Sequence, residues 1–349
     1  MTSDKGILIQ NIYYMLAYAF QILRQENYEE VAAEEFDKIE DLFAEILAKG
    51  VSAQLKQGLY REYIVQNDDL PILRGKLHMG GTIRHRLQQE RLLSCEYDEL
   101  SVNNLLNRIL KTTMLLLVRE KSVGIKQKHA LKKVLLFFDN VDTLEPHSIQ
   151  WGRICLQRSN RSYEMLINIC RLVLEGMLQT TESGQYKMAA FSDEHMERLY
   201  EKFILEYYHQ HHPHLHASAA QVKWDLDEDT DSSFLSFLPT MQTDIMLRHG
   251  GTTLIIDANY YGHSMQYHHD SYSVHSGNLY QIYAYVKNQQ AAQEGKVSGM
   301  LLYAKTEEAI APNFTFGIGG SSIGVKTLDL NKPFQLIAAQ LDELASQYF

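Results

Sequence analysis

The stretch "TTLIIDANYYG", residues 252–262, decides how this chain is read. Leu254, Ile255 and Ile256 form an apolar, β-branched run that predicts a buried strand. The run ends in an acid, Asp257, and Asn259 follows two positions later. Side chains alternate across a strand, so the carboxylate and the amide project from the same face. The question is what stands in front of them.

Upstream, Asp244 lies in "LPTMQTDIMLRHGG" (238–251), ahead of the hairpin-like turn "RHGG". Pairing through that turn brings Asp244 and Asp257 together at one end of a sheet. Two such carboxylates are the oxygen ligands that a hard cation such as Mg²⁺ prefers. A cation held there polarises a phosphodiester and lowers the pKa of a bound water. A lysine two residues after the second acid would point the same way and stabilise the developing charge. This sequence has Asn259 at that position.

The pattern "TDI…TLIIDANYY" resembles the PD-(D/E)xK nuclease core, with Asp244 as first acid, Asp257 as second, and Asn259 in the lysine's place. Gln281 and Tyr285, in "NLYQIYAYV" (278–286), match the QxxxY element of the following helix. Glu201, in "LYEKF" (199–203), matches the helix acid sometimes recruited as a third metal contact, with Glu197 one turn earlier as the alternative. Together with "NIYYMLAYAF" (11–20), "GKLHMGGTIR" (75–84) and "NNLLNRILK" (103–111), these elements resemble the McrC family over nearly the full length. McrC is the nuclease subunit of the McrBC modification-dependent restriction system.

The resemblance implies an α/β fold: a C-terminal PD-(D/E)xK-type mixed sheet flanked by helices, preceded by an α+β domain that docks on a partner. The expected division is residues 1–185 and 186–349, at the polar segment "TTESGQYKM" (180–188). The resemblance also implies Mg²⁺ at Asp244, Asp257 and Glu201, a McrB-like AAA+ GTPase hexamer as partner, and DNA containing modified cytosine as substrate. No GxxxxGK(S/T) loop occurs, so GTP belongs to the partner. Arg74, Lys76, Arg84 and Arg86, in "RGKLHMGGTIRHRLQQER" (74–91), are the candidates for reaching into that ring. An amide does not carry the lysine's charge, so Lys287 and Lys305 are candidates to replace it, at a cost of roughly a hundredfold in rate if none does. The alternative is a non-catalytic adaptor that docks on the GTPase ring and activates it with its nuclease site lapsed.

Composition narrows the classes further. The chain of 349 residues is 45% hydrophobic and 22% charged, the profile of a soluble globular protein of about two domains. No apolar run spans a bilayer and no signal-peptide pattern opens the chain, so the expectation is cytoplasmic. Cys95, Cys155 and Cys170 have neither metal-ligand spacing nor the number for a disulfide framework. Residues 1–190 hold 24 Lys/Arg against 24 Asp/Glu, and residues 191–349 hold 9 against 19. A protein that held DNA by broad charge neutralisation would be basic, so DNA contact is expected to be local or shared with the partner.

Helices are expected over 36–50, with Gly50 closing the first, and over 102–120, 163–178, 192–208 and 278–289. β-structure is expected between Gly58 and Met79. The His-rich "HQHHPHLH" (209–216) and "YHHDSYSVH" (267–275) match no structural zinc spacing and read as solvated loops. The acidic turn at 225–231 lacks the glycine and closing glutamate of a calcium loop, and "GIGGSS" (317–322) precedes a strand rather than a phosphate-binding helix.

Overall fold

The computed structural model describes residues 3–4, 7–19, 36, 38–156, 163–177, 193–227, 236–260, 266–268, 271–305 and 311–349. The chain forms two compact units, Met1–Leu42 with Ala189–Phe349, and Phe43–Met188. The expected break at residue 185 falls close to the second junction. Residues 1–42, however, belong with the C-terminal part.

The reason lies in the first helix. A short pair, β1 (Ser3–Asp4) and β2 (Ile7–Leu8), leads into α1 (Ile9–Ala19), which is buried on nearly every side. Burial of that kind needs a partner for each apolar face, and polar anchors for what remains. The Asn11 amide donates to the carbonyls of Leu330 (2.7 Å) and Lys332 (2.8 Å). Tyr14 stacks on Phe334 with ring centroids 4.2 Å apart, and the Tyr18 hydroxyl meets His211 Nε2 at 2.8 Å. The N-terminal helix is therefore a core element of the C-terminal unit.

The helix α2 (Ile39–Gln57) carries the chain into the second unit. Its stripe of Ile39, Phe43, Ile46 and Leu47 is buried as the periodicity requires, and Phe36 is buried ahead of it, outside the helix, which starts at Ile39 rather than at 36. Gly50 does not close it; the helix runs on to Gln57, because burial of Val51 outweighs the ~1 kcal/mol propensity cost of a glycine. Next come β3 (Glu62–Leu70), β4 (Lys76–Leu77), α3 (Met79–Leu87) and β5 (Leu93–Ser101). β3 and β5 pair antiparallel along their whole length, and β4 joins the other side of β5. Gly75 has φ +67°, and a Cβ there would lie 2.4 Å from the Glu96 carbonyl oxygen, so this corner requires glycine. The unit continues through α4 (Leu105–Arg119), α5 (Ile125–Leu135) and α6 (Glu164–Met177). Asn104 caps α4 through the Asn107 N–H (3.1 Å), and the Asn107 amide is held by Tyr60, Val102 and Tyr163.

The chain re-enters the first unit at α7 (Asp193–His211). Residue 192, where this helix is expected to begin, and the polar segment 180–188 lie outside the described residues. Two short strands, β6 (Gln221–Val222) and β7 (Met241–Gln242), pair before the central hairpin of β8 (Ile245–His249) and β9 (Thr252–Asn259). A small ribbon, β10 (Gln266–His268) with β11 (Ser271–Ser273), precedes α8 (Ser276–Ala291). Then follow β12 (Lys296–Ala304), β13 (Phe314–Ile318), β14 (Ser321–Leu328) and α9 (Phe334–Ser346).

Five strands form one mixed sheet in the order β13-β14-β12-β9-β8. β12 runs parallel to both neighbours, while each edge strand is antiparallel. A parallel neighbour requires a crossover, and α8 supplies it between β9 and β12. Gly299 lets that helix close on the sheet: a Cβ there would sit 2.8 Å from side-chain atoms of both Ile282 and Val286. Helix, hairpin, crossover helix and strand thus form the expected mixed α/β module.

The histidine stretch 209–216 is not a free loop. α7 extends to His211, so His209 and His211 belong to its last turn. His209 bonds the Ala217 carbonyl (2.6 Å), and His212 pairs with Asp342 of α9 at 2.7 Å. Most of 267–275 lies outside the described side chains.

Candidate active site

The hairpin register builds the site. Ile245 stands opposite Ile256, so Asp244, one residue before β8, falls across from Asp257 near the end of β9. Asp244 Oδ2 accepts the Ala258 backbone N–H at 2.9 Å, which fixes the first acid beside the second. Gly250 and Gly251 turn the hairpin with φ of +55° and +81°, at the end of the strands away from the acids.

Asp257 is buried, and both of its oxygens are engaged. The Asn259 amide donates to Oδ2 at 2.7 Å, and Gln281 Nε2 of α8 donates to Oδ1 at 3.2 Å. The same-face projection of Asp257 and Asn259 is thus realised. Tyr285, one helical turn beyond Gln281, is buried in the core under the sheet. The QxxxY pair therefore divides its work. Gln281 holds the acid, and Tyr285 packs in the core.

Three carboxylates share one electrostatic environment. Burial first, then Asp257 and Glu201, push the Asp244 carboxyl up to about 8, against the Ala258 N–H that favours its charged form. Burial raises Asp257 to about 6, with the Asn259 hydrogen bond opposing the rise. Glu201, half-buried on α7, is raised to about 7 by burial, by Glu197 one turn earlier, and by Asp257. Among the described residues, no three His, Cys, Asp or Glu side chains are gathered so as to hold one ion. The donor chemistry nonetheless suits a hard divalent cation. Its charge would favour the ionised forms that burial and neighbouring like charges disfavour.

Neither lysine considered as a replacement reaches the acids. Lys287 Nζ donates to the Gly319 carbonyl at 2.6 Å, and Lys305 Nζ pairs with Asp329 at 3.1 Å. Two residues escaped the sequence reading. Asn278 Nδ2 donates to Asn259 Oδ1 (2.9 Å) and lies 3.3 Å from the Tyr303 hydroxyl. Asn278 stands one turn before Gln281, and Tyr303 is the register partner of Asn259 on β12. Both positions follow from periodicity once the strand pairing is known.

The basic candidates lie in the other unit, and all four are exposed. Arg74 covers the Tyr97 ring at 3.8 Å and pairs with Glu99, and Lys76 pairs with Glu96 at 3.8 Å. Arg84 and Arg86 occupy the last turn of α3. Between them, His85 contacts Asp69 and Glu90, whose acceptors raise its pKa.

The mixed sheet with paired aspartates at one end of its hairpin and a QxxxY crossover helix defines a PD-(D/E)xK-type core. A family model described as "McrBC 5-methylcytosine restriction system component" matches residues 4–304, and the chain belongs to that family. The Escherichia coli (strain K12) protein named "Type IV methyl-directed restriction enzyme EcoKMcrBC" is 26% identical over 345 residues, covering 98% of each chain. In solved structures, the fold resembles a chain of the "Refined half-complex from tetradecameric assembly of Thermococcus gammatolerans McrB AAA+ hexamers with bound McrC". The TM-score is 0.56 at 19% identity, over 96% of this chain and 76% of that one. The McrC resemblance drawn from the motifs holds across the chain. No described helix is long and apolar enough to cross a membrane.

Proposed function

We propose that this chain is the endonuclease subunit of a GTP-dependent restriction complex, hydrolysing phosphodiesters of DNA that carries modified cytosine. The observation that carries this reading is the pairing of Asp244 and Asp257 across the β8–β9 hairpin, fixed by the Ala258 N–H, with burial and neighbouring like charges, Glu201 among them for Asp244, raising the pKa of both. Perturbed carboxylates grouped in this way mark sites built for charge chemistry. Asp244 and Asp257 would hold Mg²⁺, with Glu201 as a third oxygen. The cation supplies Lewis-acid polarisation of the phosphate.

The chain's own residues do the rest. Gln281 and Asn259 fix the two oxygens of Asp257, so the acid presents one orientation. Asn278 holds Asn259 in turn, through the amide oxygen that a lysine would lack. The position is therefore fully used as a positioning amide, and neither Lys287 nor Lys305 carries the missing charge. Turnover is expected to be slow by roughly a hundredfold relative to a lysine form.

The partner is a McrB-like AAA+ GTPase hexamer, which supplies GTP hydrolysis and reads the modified base. The names of the Escherichia coli relative and the Thermococcus gammatolerans assembly support this assignment. The unit Phe43–Met188 would dock on the ring, with Arg74, Lys76, Arg84 and Arg86 at the contact. The test is DNA cleavage and GTP hydrolysis measured side by side in the reconstituted complex with Mg²⁺. Mg²⁺-dependent cleavage together with stimulated GTP hydrolysis supports the proposal. Stimulated hydrolysis without any cleavage would instead make the chain a non-catalytic activator.

A further inference from the structure

The two compact units carry opposite charge. Counted over the sequence, Phe43–Met188 holds 21 Lys/Arg against 15 Asp/Glu, and the other unit holds 12 against 28. The basic surplus is not spread over its unit. Residues 62–101, the β3–β5 module, hold 5 Lys/Arg against 7 Asp/Glu, while residues 102–156 hold 9 against 4.

Within that segment the surplus gathers on α5. From Lys121 to Phe138 there are five lysines and a histidine, and no acid; Glu120 and Asp139 bound the stretch. The helix turns Gln127, Leu131 and Val134 inward. Its outer face presents Lys126, His129, Lys132 and Lys133, all exposed, with Lys121 and the half-buried Lys128 beside them. Lys132 and Lys133 have no hydrogen-bond or ion-pair partner among the described residues. By contrast, Lys111 in the same segment is spent on the carbonyls of Phe138 and Val141.

We infer that the outer face of α5 is a binding surface for the phosphate backbone of duplex DNA. Resting on the reading that DNA is the substrate, this inference goes beyond the catalytic site by naming a second, sequence-independent contact. Lys126 and Lys133 lie seven residues apart, about 10 Å along the helix. That distance spans about three phosphates at 3.4 Å of rise each along one strand. A membrane surface fits poorly, because the apolar face that would insert is already buried in the unit. A protein partner fits poorly as well, since the middle of the face is cationic. Protein interfaces are depleted of charge at their centre. The exposed Ile125, Leu136 and Phe137 stand only at its two ends.

The test uses the full chain and a fluorescent methylated duplex, with anisotropy read over a KCl series. The variant Lys126→Gln/Lys132→Gln/Lys133→Gln removes three charges from exposed positions and keeps good helix formers there. The expected result is a binding slope against log[KCl] shallower by about 2.7, at ~0.9 per lost phosphate contact, and at least ~10-fold weaker binding at low salt. The matching Lys→Arg triple variant is expected to bind like wild type. Equal affinity and slope in the Gln variant would overturn the inference, as would absence of binding by the wild-type chain at low salt. So would unchanged DNA binding coupled to lost stimulation of a McrB-type ring, which would make this face a protein contact. Failure of the wild-type complex to cleave would count against the endonuclease reading alone, because the salt slope is measured without cleavage.

Discussion

Replacing Asp244 with Asn tests the electrostatic heart of the site. Asp244 is raised from 3.8 to about 8 by burial, Asp257, Glu201 and Glu197. A carboxyl whose folded pKa lies above its unfolded value holds extra protons in the folded state between those two pH values. Stability is therefore greatest at low pH and falls as pH rises through the folded pKa. The interval corresponds to a ceiling of about 6 kcal/mol for ionising the group at pH 8 or above. Proton sharing with Asp257 and Glu201, and residual solvent contact, reduce it to about 2–4 kcal/mol. An asparagine keeps an oxygen for the Ala258 N–H but carries no charge. In thermal melts without divalent cations, wild type is expected to lose stability steadily from pH 5 to pH 9. Asp244→Asn should show a flatter profile and melt roughly 5–10 °C higher than wild type at the alkaline end. Mg²⁺ should raise the wild-type melting temperature at pH 8 and leave that of the variant nearly unchanged. Parallel pH profiles for the two proteins would mean that Asp244 titrates like an ordinary surface acid and that its burial beside Asp257 does not raise it.

Three further outcomes are expected. Asp257→Ala should abolish cleavage while leaving stimulation of partner GTP hydrolysis nearly intact, and loss of both together would reveal a folding role for that end of β9. Arg84→Ala with Arg86→Ala should do the reverse, weakening the partner's GTP hydrolysis without changing the melting curve; wild-type stimulation would move the docking surface elsewhere. Gly299→Ala introduces a Cβ 2.8 Å from Ile282 and Val286 and is expected to cost about 1–3 kcal/mol in denaturant unfolding. An unchanged midpoint would mean that α8 is not seated as tightly on β12 as described.

Much of the unit that carries the paired aspartates is legible in the sequence because its cues are local. The run Leu254–Ile256 and the paired glycines of the turn set both the strand and its hairpin partner, which together fix the meeting of Asp244 and Asp257. Gln281 and Tyr285 follow from helical spacing. Contacts made at long sequence separation are not legible in this way. The tie between Asn11 and the carbonyls at 330 and 332 places α1 in the C-terminal unit, and no periodicity within residues 9–19 announces it. The same holds for His212 and Asp342, which turn an apparently solvated histidine run into a packed joint. Asn278 and Tyr303 were hidden for a related reason. Each has ordinary helix or strand chemistry, and only the β9–β12 register places them around Asn259.

On the proposed function, Asp244 and Asp257 form a nuclease site in which Asn259 positions but does not charge. The most direct test is cleavage of methylated DNA by the chain with a McrB-type ring, GTP and Mg²⁺, run beside Asn259→Lys. Slow cleavage is expected from the native chain, roughly a hundredfold faster cleavage from the lysine form, and none from either once Asp257 is replaced. Equal rates for Asn and Lys would contradict the role given to position 259. Silence from both, with GTP hydrolysis still stimulated, would contradict the nuclease itself.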